Sequence, residues 1–269
     1  MTSVIIVQYN HADLTAHALR SFLAHHPDGH EIIVVDNGST DPDAASILKE
    51  FPGVQLLRNK RNEGFSRANN LGAKVAKGEY LLFLNSDTIT DAPFVPTLEE
   101  VMDTEPDAGI LGPRLRYPDG RFQLSAGRLP GFLNEIADKV LYHLLDRRIR
   151  VVTRMVSARW NRRREPGWVT GAALYIRNDL FQAVGGFDEA MFMYFEDKDL
   201  CRRVRDAGFR VCYLPEISLV HIKAGSSRST TSVTGSAYRQ SQIIYYRKHR
   251  PRMESHLLRL YLKGTGKAP

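Results

Sequence analysis

The polar residues that could do chemistry fall where short apolar runs stop. Tyr9-Asn10 follows Val4-Ile5-Ile6-Val7, and Asp36-Asn37 follows Ile32-Ile33-Val34-Val35. Arg58-Asn59 follows Val54-Gln55-Leu56-Leu57, and Asn85-Ser86-Asp87 follows Tyr80-Leu81-Leu82-Phe83-Leu84. Apolar runs of this length read as strands buried on both faces. A carboxylate at such an end can accept hydrogen bonds from a base N–H or a ribose hydroxyl, or give a hard divalent cation the oxygen it prefers. Further along, Glu196-Asp197 offers acids able to take a proton from an attacking hydroxyl, and His221 offers an imidazole.

These residues need a frame. Leu14, Ala18, Phe22 and Leu23 share one face of a helix expected over 12–26, Asp41-Pro42 marks another helix start, and a Gly64-containing loop opens a helix over 65–77. Strands alternating with helices predict an α/β fold with a mainly parallel central sheet, whose ligands bind at the carboxyl ends of the strands. The first strand–helix turn carries neither Gly-x-Gly-x-x-Gly nor a phosphate-loop lysine, which argues against a dinucleotide dehydrogenase or a nucleoside triphosphatase. In the second half Pro118-Asp119-Gly120 reads as a turn between short strands, and Thr170-Gly171-Ala172-Ala173-Leu174 as a small-residue strand. Gly185-Gly186 precedes an acidic segment, a helix turns Leu200 and Val204 inward and stops at Gly208, and Val211-Cys212-Tyr213-Leu214 is a last strand. The Ser/Thr-rich stretch 226–236 reads as a mobile loop before a basic helical tail.

The chain has 269 residues and a net charge of +7. Residues 147–164 hold eight arginines and no acid, and residues 239–252 hold five basic residues and no acid. The remainder is mildly acidic, so the charge is patchy rather than uniform. Such patches suit phosphate-rich or anionic lipid surfaces. Phe132, Ile136, Val140 and Leu144 recur every four residues, and Ile149, Val152, Val156 and Trp160 continue the rhythm among the arginines. This amphipathic insertion at 131–165 suits packing on its own domain or lying at a membrane interface. The segment Gln242–His249 reads as a second docking element or a terminal helix. Two cysteines make no disulfide framework, and no stretch approaches the length of a membrane span. With no targeting segment visible, a cytoplasmic protein is expected, peripheral on the inner face of the cell membrane if the insertion docks there.

Several motifs, in order, resemble the family 2 glycosyltransferases. They are Val34-Val35-Asp36-Asn37-Gly38-Ser39-Thr40-Asp41, Asn62-Glu63-Gly64-Phe65 with Asn70, Leu84-Asn85-Ser86-Asp87-Thr88, Gly185-Gly186-Phe187-Asp188-Glu189, and Glu196-Asp197-Lys198-Asp199-Leu200. The resemblance implies a GT-A fold over 1–225, with a nucleotide-sugar half at 1–117, an acceptor half at 118–225 and the tail at 226–269. It also implies a nucleotide-diphosphate sugar donor, a divalent metal (Mn2+ or Mg2+) and an inverting transfer. Tyr9, Asn10, Asp36, Asn62, Gly64, Asn70, Ser86 and Asp87 would bind the nucleotide sugar, with Asp87 and His221 on the metal. Where the family often has two aspartates flanking one residue, this chain has Asn85 first. The family pattern assigns the general base to Asp197, with Glu196 orienting the acceptor. Gly171 and Ala172 would border the acceptor, and Trp168 would stack on it or pack in the core.

Within the family, the Asn-Ser-Asp-Thr form and Tyr246-Arg247-Lys248-His249 look most like bacterial rhamnosyltransferases of cell-envelope polysaccharide assembly. That implies dTDP-L-rhamnose as donor, with a UDP-sugar as the alternative. The acceptor would be a glycan or polyprenyl-diphosphate-linked precursor, its diphosphate near the arginines. Two rivals are weaker. A sugar nucleotidyltransferase should carry a glycine-rich basic loop near the N-terminus, and residues 8–20 have none. A nucleic-acid binder is disfavoured by the acidic remainder, so no nucleic-acid partner is expected.

Overall fold

The computed structural model describes residues 1–41, 50–147, 149–222 and 231–266. Its first half alternates as the pattern requires: β1 (Thr2–Gln8), α1 (Ala12–His25), β2 (His30–Asp36), β3 (Gln55–Arg58), α2 (Phe65–Val75) and β4 (Tyr80–Asn85). The helix start expected at Asp41-Pro42 lies outside the described residues. Alternate strand residues serve opposite faces. Val4, Ile6 and Val34 pack with Leu19 and Phe22 of α1, whereas Ile5, Ile33 and Val35 pack with Ala68 and Ala73 of α2. Gly72 lets α2 sit close, since a Cβ there would lie 2.6 Å from the Ile5 Cγ2.

The chain continues through β5 (Thr88–Ile89), α3 (Val95–Thr104), β6 (Ala108–Arg116), β7 (Phe122–Gln123) and β8 (Ala126–Gly127). Helices α4 (Phe132–Asp146) and α5 (Arg150–Arg159) follow, so the amphipathic stripe is two helices rather than one. Then come β9 (Trp168–Val169), β10 (Ala173–Arg177), α6 (Asn178–Ala183), α7 (Glu196–Asp206), β11 (Arg210–His221), α8 (Thr231–His249) and α9 (Arg252–Gly264). The main sheet runs β3-β2-β1-β4-β10-β6-β11-β5, with β7 on β6 and a separate β8–β9 pair. The four strands from β3 to β4 are parallel, as expected, and so are β6 and β11. Between them β10 runs antiparallel to both neighbours.

The structure corrects several local expectations. The strand placed at 170–174 begins at Ala173, and 170–172 is a connecting turn after β9. Of the Ser/Thr-rich stretch, 231–236 is the first part of α8, and 226–230 lies outside the described residues.

The segment Gln242–His249 is a packed helix, not a free docking element. Tyr245 and Tyr246 are buried beside Met191, Phe195, Leu258 and Leu262. Its last basic residues close on a buried acid of α7. Asp199, with no exposure, accepts from Arg203 Nε at 2.7 Å, lies 2.6 Å from His249 Nε2 and pairs with Lys248 Nζ at 2.9 Å. Arg203 also donates to the Val184 and Gly186 carbonyls, so this cluster joins α7, α8 and the Gly185-Gly186 turn. Burial pushes the Asp199 carboxyl up, but the His249 hydrogen bond and the Arg203 and Lys248 charges outweigh it and hold it at about 2. A depressed acid stabilises the fold above its unfolded pKa and loses that contribution as pH falls through the folded value. Urea unfolding should therefore show Asp199→Asn less stable by about 3 kcal/mol at neutral pH, since a buried pair broken on one side leaves charge uncompensated. The difference from wild type should shrink between about pH 4 and pH 2.

Candidate active site

At the carboxyl ends of β1 and β2 a hydrogen-bonded frame sets the first pocket. Asp36 is buried; its Oδ1 accepts from the Ser39 N–H at 3.0 Å and its Oδ2 from Arg58 Nε at 3.0 Å. Asn10 has a left-handed φ of 55°, donates its N–H to Ser39 Oγ and accepts from the Thr40 N–H. Tyr9 beside it is 43% exposed, free to form a wall. The organiser is the residue after Asp36, which the sequence set at this strand end without giving it a role. Asn37 donates to Asn62 Oδ1 and the Gly64 carbonyl and accepts from Asn59 Nδ2 and the Glu63 N–H. Gln8 was also missed: its side-chain amide is buried at the end of β1 with both polar atoms unpartnered. The signal was available, because a polar residue ending a buried apolar run needs a reason to be there.

Two residues expected beside a nucleotide are engaged elsewhere. Gly64 has φ 91°, and a Cβ there would lie 2.7 Å from the Phe192 carbonyl oxygen, so its lack of a side chain admits the 187–195 segment. The Asn70 amide donates to the Phe187 carbonyl and accepts from the Phe187 N–H, both at 2.9 Å, tying α2 to that same segment.

At the end of β4 the expected metal pair meets. Asp87 is 7% exposed, and its Oδ1 lies 3.1 Å from His221 Nε2 at the end of β11. Ser86 sits in the turn between Asn85 and Asp87. The backbone locks this meeting, since the Ile222 N–H donates to the Asp87 carbonyl. His221 Nδ1 lies 2.9 Å from Gln123 Oε1, which holds a proton on that nitrogen and leaves Nε2 for the carboxylate side. Gln123 was not foreseen, because its partner is 98 residues away. Asn85 Oδ1 is buried without a partner. Among the described residues no three or more His, Cys, Asp or Glu side chains are grouped so that they alone could hold a metal ion. The donor set is thus one carboxylate, one imidazole and one orphaned amide oxygen. These groups would suit a Mn2+ or Mg2+ ion that takes its remaining ligands from outside the chain.

The second acidic centre opens α7. Tyr194 and Phe195, just before it, have φ of 68° and 66°. Left-handed backbone at non-glycine residues costs about 1–3 kcal/mol each and persists only where packing enforces it. Phe195 is fully buried against the rings of Tyr238 and Tyr245. Burial and the adjacent Asp197 charge push the Glu196 carboxyl well above the usual range, and one of its oxygens has no partner. Burial raises Asp197 as well, although the Lys198 charge and the N–H groups of Gly171 and Lys198 oppose it. Gly171 N–H donates to Asp197 Oδ2 at 3.2 Å, and Lys198 N–H donates to Oδ1 at 2.8 Å.

The 170–172 turn links the two centres. Gly171 contacts Asp197, and the next carbonyl, that of Ala172, accepts from the Asn85 N–H at 2.9 Å. Ala172, 4% exposed, therefore acts through its backbone and offers no surface to an acceptor. Trp168, 6% exposed, has Lys198 Nζ 4.9 Å over its ring and packs on Gly127; it belongs to the core and is not a free stacking face. From α4, Asp138 and Tyr142 face this region: although Tyr142 is 41% exposed overall, loss of solvation around its phenol raises it, with Asp138, Tyr238, Asp197 and Tyr117 adding to the effect.

A carboxyl raised by burial destabilises the fold when charged, so its contribution improves as pH falls toward the unfolded pKa. Glu196→Gln should raise the thermal midpoint at pH 7.5, and the gain should diminish as pH is lowered toward 5. A lower midpoint across that range would contradict the penalty that burial and Asp197 place on the charged form of Glu196.

With this geometry in view, comparisons with known proteins are informative. The family model described as Glycosyl transferase family 2 matches residues 3–165. The N-acetylglucosaminyl-diphospho-decaprenol L-rhamnosyltransferase of Mycobacterium tuberculosis is 30% identical over 230 residues, covering 80% of this chain and 73% of that protein. The rhamnosyltransferase WbbL of Escherichia coli is 25% identical over 249 residues, covering 85% and 86%. Among solved structures, GalNAc-T7 with UDP, GalNAc and Mn2+ superposes with a TM-score of 0.65 at 18% identity, over 90% of this chain and 48% of that one. Staphylococcus aureus TarS superposes with a TM-score of 0.56 at 15% identity, over 91% and 43%. The chain thus spans about half the length of these two solved proteins, and the likeness to them establishes the GT-A fold. Taken with the ordered motifs at the strand ends, the match over 3–165 and the similarity to the mycobacterial enzyme mean that this chain belongs to glycosyl transferase family 2 and is a glycosyltransferase.

Proposed function

We propose that this enzyme transfers L-rhamnose from dTDP-L-rhamnose, with inversion, to a hydroxyl of a polyprenyl-diphosphate-linked cell-envelope glycan precursor. The observation that carries the reading is the 170–172 turn, which holds Asp197 on one side and the Asn85–Asp87 strand end on the other. A leaving diphosphate and an attacking hydroxyl need opposite help, and this turn brings their two carboxylate centres to one cleft. Asp36, Tyr9 and Asn10 form the pocket for the base and ribose. Asp87 and His221, with the Asn85 amide oxygen, would hold Mn2+ or Mg2+, which when bound supplies countercharge to the departing diphosphate. Asp197 accepts the acceptor proton as attack proceeds, and its raised affinity for a proton suits that task. One base without a partner nucleophile gives inversion. Glu196 orients the acceptor from the first turn of α7, and Gly171 sets the position of Asp197.

The choice of sugar and acceptor is supported by the names of the two bacterial relatives, both rhamnosyltransferases, one acting on a diphospho-decaprenol carrier. A membrane-borne acceptor also suits the outer surface. Leu133, Val140, Val151 and Met155 are 55–78% exposed on α4 and α5, and Met253 and Leu260 on α9 lie 71% and 53% exposed. Lys139 of α4 lies over the Tyr261 ring of α9 at 5.1 Å, so the two helices present one apolar surface with basic edges. No described helix is long and apolar enough to cross a membrane. The surface instead suits peripheral docking on the inner face of the cell membrane. The arginines at 163 and 164 are less suited to lipid than the sequence suggested: Arg163 pairs with Glu105 and Glu216, and Arg164 bonds the Arg159 carbonyl.

Asp197→Asn should lower kcat about a thousandfold while dTDP-rhamnose affinity stays within about twofold. A matching loss of donor affinity would remove Asp197 from the role of base. Chelation should stop transfer, and transfer from UDP-sugars alone would overturn the donor assignment. Replacing Leu133, Val140, Val151 and Met155 by serine should release the protein from anionic vesicles without altering donor affinity; unchanged vesicle binding would remove the docking surface.

A further inference from the structure

A second cavity, outside the donor pocket, is built from arginines. It measures about 740 Å³ and lies between one face of α5 and the β6–β7 turn, a volume within the usual range for small-ligand sites of roughly 300–1,000 Å³. Arg114, Arg121, Arg150 and Arg154 line it, with Phe122 and Ser157. Arg114 is fixed in place: it donates to Asn161 Oδ1 and Ser157 Oγ, each at 2.9 Å, and lies 5.0 Å over the Phe122 ring. Arg121 pairs with Asp119 at 2.6 Å and lies over Tyr117.

Arg150 and Arg154 differ. Both are exposed, and neither has a hydrogen bond or ion pair among the described side chains. They sit one helical turn apart, where like charges repel. Arg150 also occupies the first turn of α5, where the helix dipole disfavours a cation. These two unfavourable placements of positive charge beside one cavity are relieved together by an anion of high charge. Guanidinium groups bind phosphate oxygens through paired hydrogen bonds, which makes a phosphate or diphosphate the matching chemistry.

The cavity adjoins the reaction centre through one short segment. Arg121 and Phe122 line it, Gln123 supports His221, and Ser125 accepts from the Thr170 N–H of the turn that holds Asp197. On its other side α5 turns Val151 and Met155, each 67% exposed, outward. We propose that this arginine cavity seats the diphosphate of the lipid-linked acceptor, with the carrier chain leaving along the apolar outer face of α4 and α5 and the acceptor sugar reaching Asp197. The assignment of the diphosphate to an acceptor rests on the function proposed above; the affinity of the cavity for a diphosphate does not.

Inorganic pyrophosphate titrated calorimetrically into the full chain with excess chelator tests the cavity directly. R150Q/R154Q should weaken binding about tenfold or more, whereas R159Q, a neighbouring exposed arginine outside the cavity, should stay within about twofold. The ligand-free double variant should melt no lower than wild type, because it loses repulsion and no partner among the described side chains. Equal pyrophosphate binding in R150Q/R154Q, or none in wild type, overturns the proposal. Phosphatidylglycerol vesicles free of any diphosphate lipid separate the other source of phosphate. Wild type and R150Q/R154Q should bind them alike, and loss of vesicle binding with pyrophosphate binding intact would assign the arginines to lipid headgroups instead. In transfer assays the double variant should raise KM for a diphosphate-linked acceptor about tenfold at unchanged donor KM. Absence of transfer to any such acceptor in wild type would refute the proposed function while the pyrophosphate result still decides the cavity.

Discussion

Two hydrogen bonds made by the backbone of neighbouring residues join the two acidic centres. Gly171 gives its N–H to Asp197 and Ala172 gives its carbonyl to Asn85, so one turn fixes an acid of α7 against the end of β4. The turn can do this because β10 runs antiparallel between β4 and β6. A parallel strand in that place would start from the opposite edge of the sheet, and its leading turn would lie far from the ligand-binding ends. The reversal of one strand thus lets the second half of the chain deliver its acids to the edge proposed above to take the donor.

The first turn of α7 carries three acids with opposite electrostatics. Glu196 and Asp197 are raised, chiefly by burial, whereas Asp199 is held at about 2 by His249, Arg203 and Lys248 despite burial. All three enjoy the same helix N-terminus, so the contrast comes from tertiary partners. Asp199 anchors the helix and stays charged, which leaves its neighbours free to be poorly solvated. Separation of affinities among adjacent carboxyls is how a site divides anchoring from proton transfer.

Much of this was legible in sequence because it is local. Buried runs ended by Asp36, Asn85 and Asp87 announce strands and their ligand edge without any partner, and the motif order carried the family. What was illegible depends on distant partners. Lys248 and His249 could be read in a docking element as well as in a terminal helix because Asp199, their acid, is some fifty residues away. Trp168 could not be told from a stacking platform until Lys198 was seen over its ring. Gln123 gives no sign of its role until His221 is beside it. β6 was foreseen only as a short strand before the Pro118-Asp119-Gly120 turn, because Gly109, Gly112 and Pro113 interrupt its apolar pattern, yet a Cβ on Gly112 would collide with Val169 at 2.5 Å. Asn70 shows the limit of resemblance: in position it fits the motif, while in the structure its amide is spent on Phe187.

The left-handed pair Tyr194-Phe195 has a consequence for how the enzyme comes into being. The rings that clamp Phe195 belong to Tyr238 and Tyr245, and these are backed in turn by Leu258 and Leu262. During synthesis the sheet and both ligand-binding strand ends emerge well before these residues. The nascent polypeptide can therefore assemble its donor cleft while Glu196 and Asp197 still lack the scaffold that aims them. On the role proposed for Asp197, competence for transfer would follow that cleft, once α8 and α9 have closed over the helix they support.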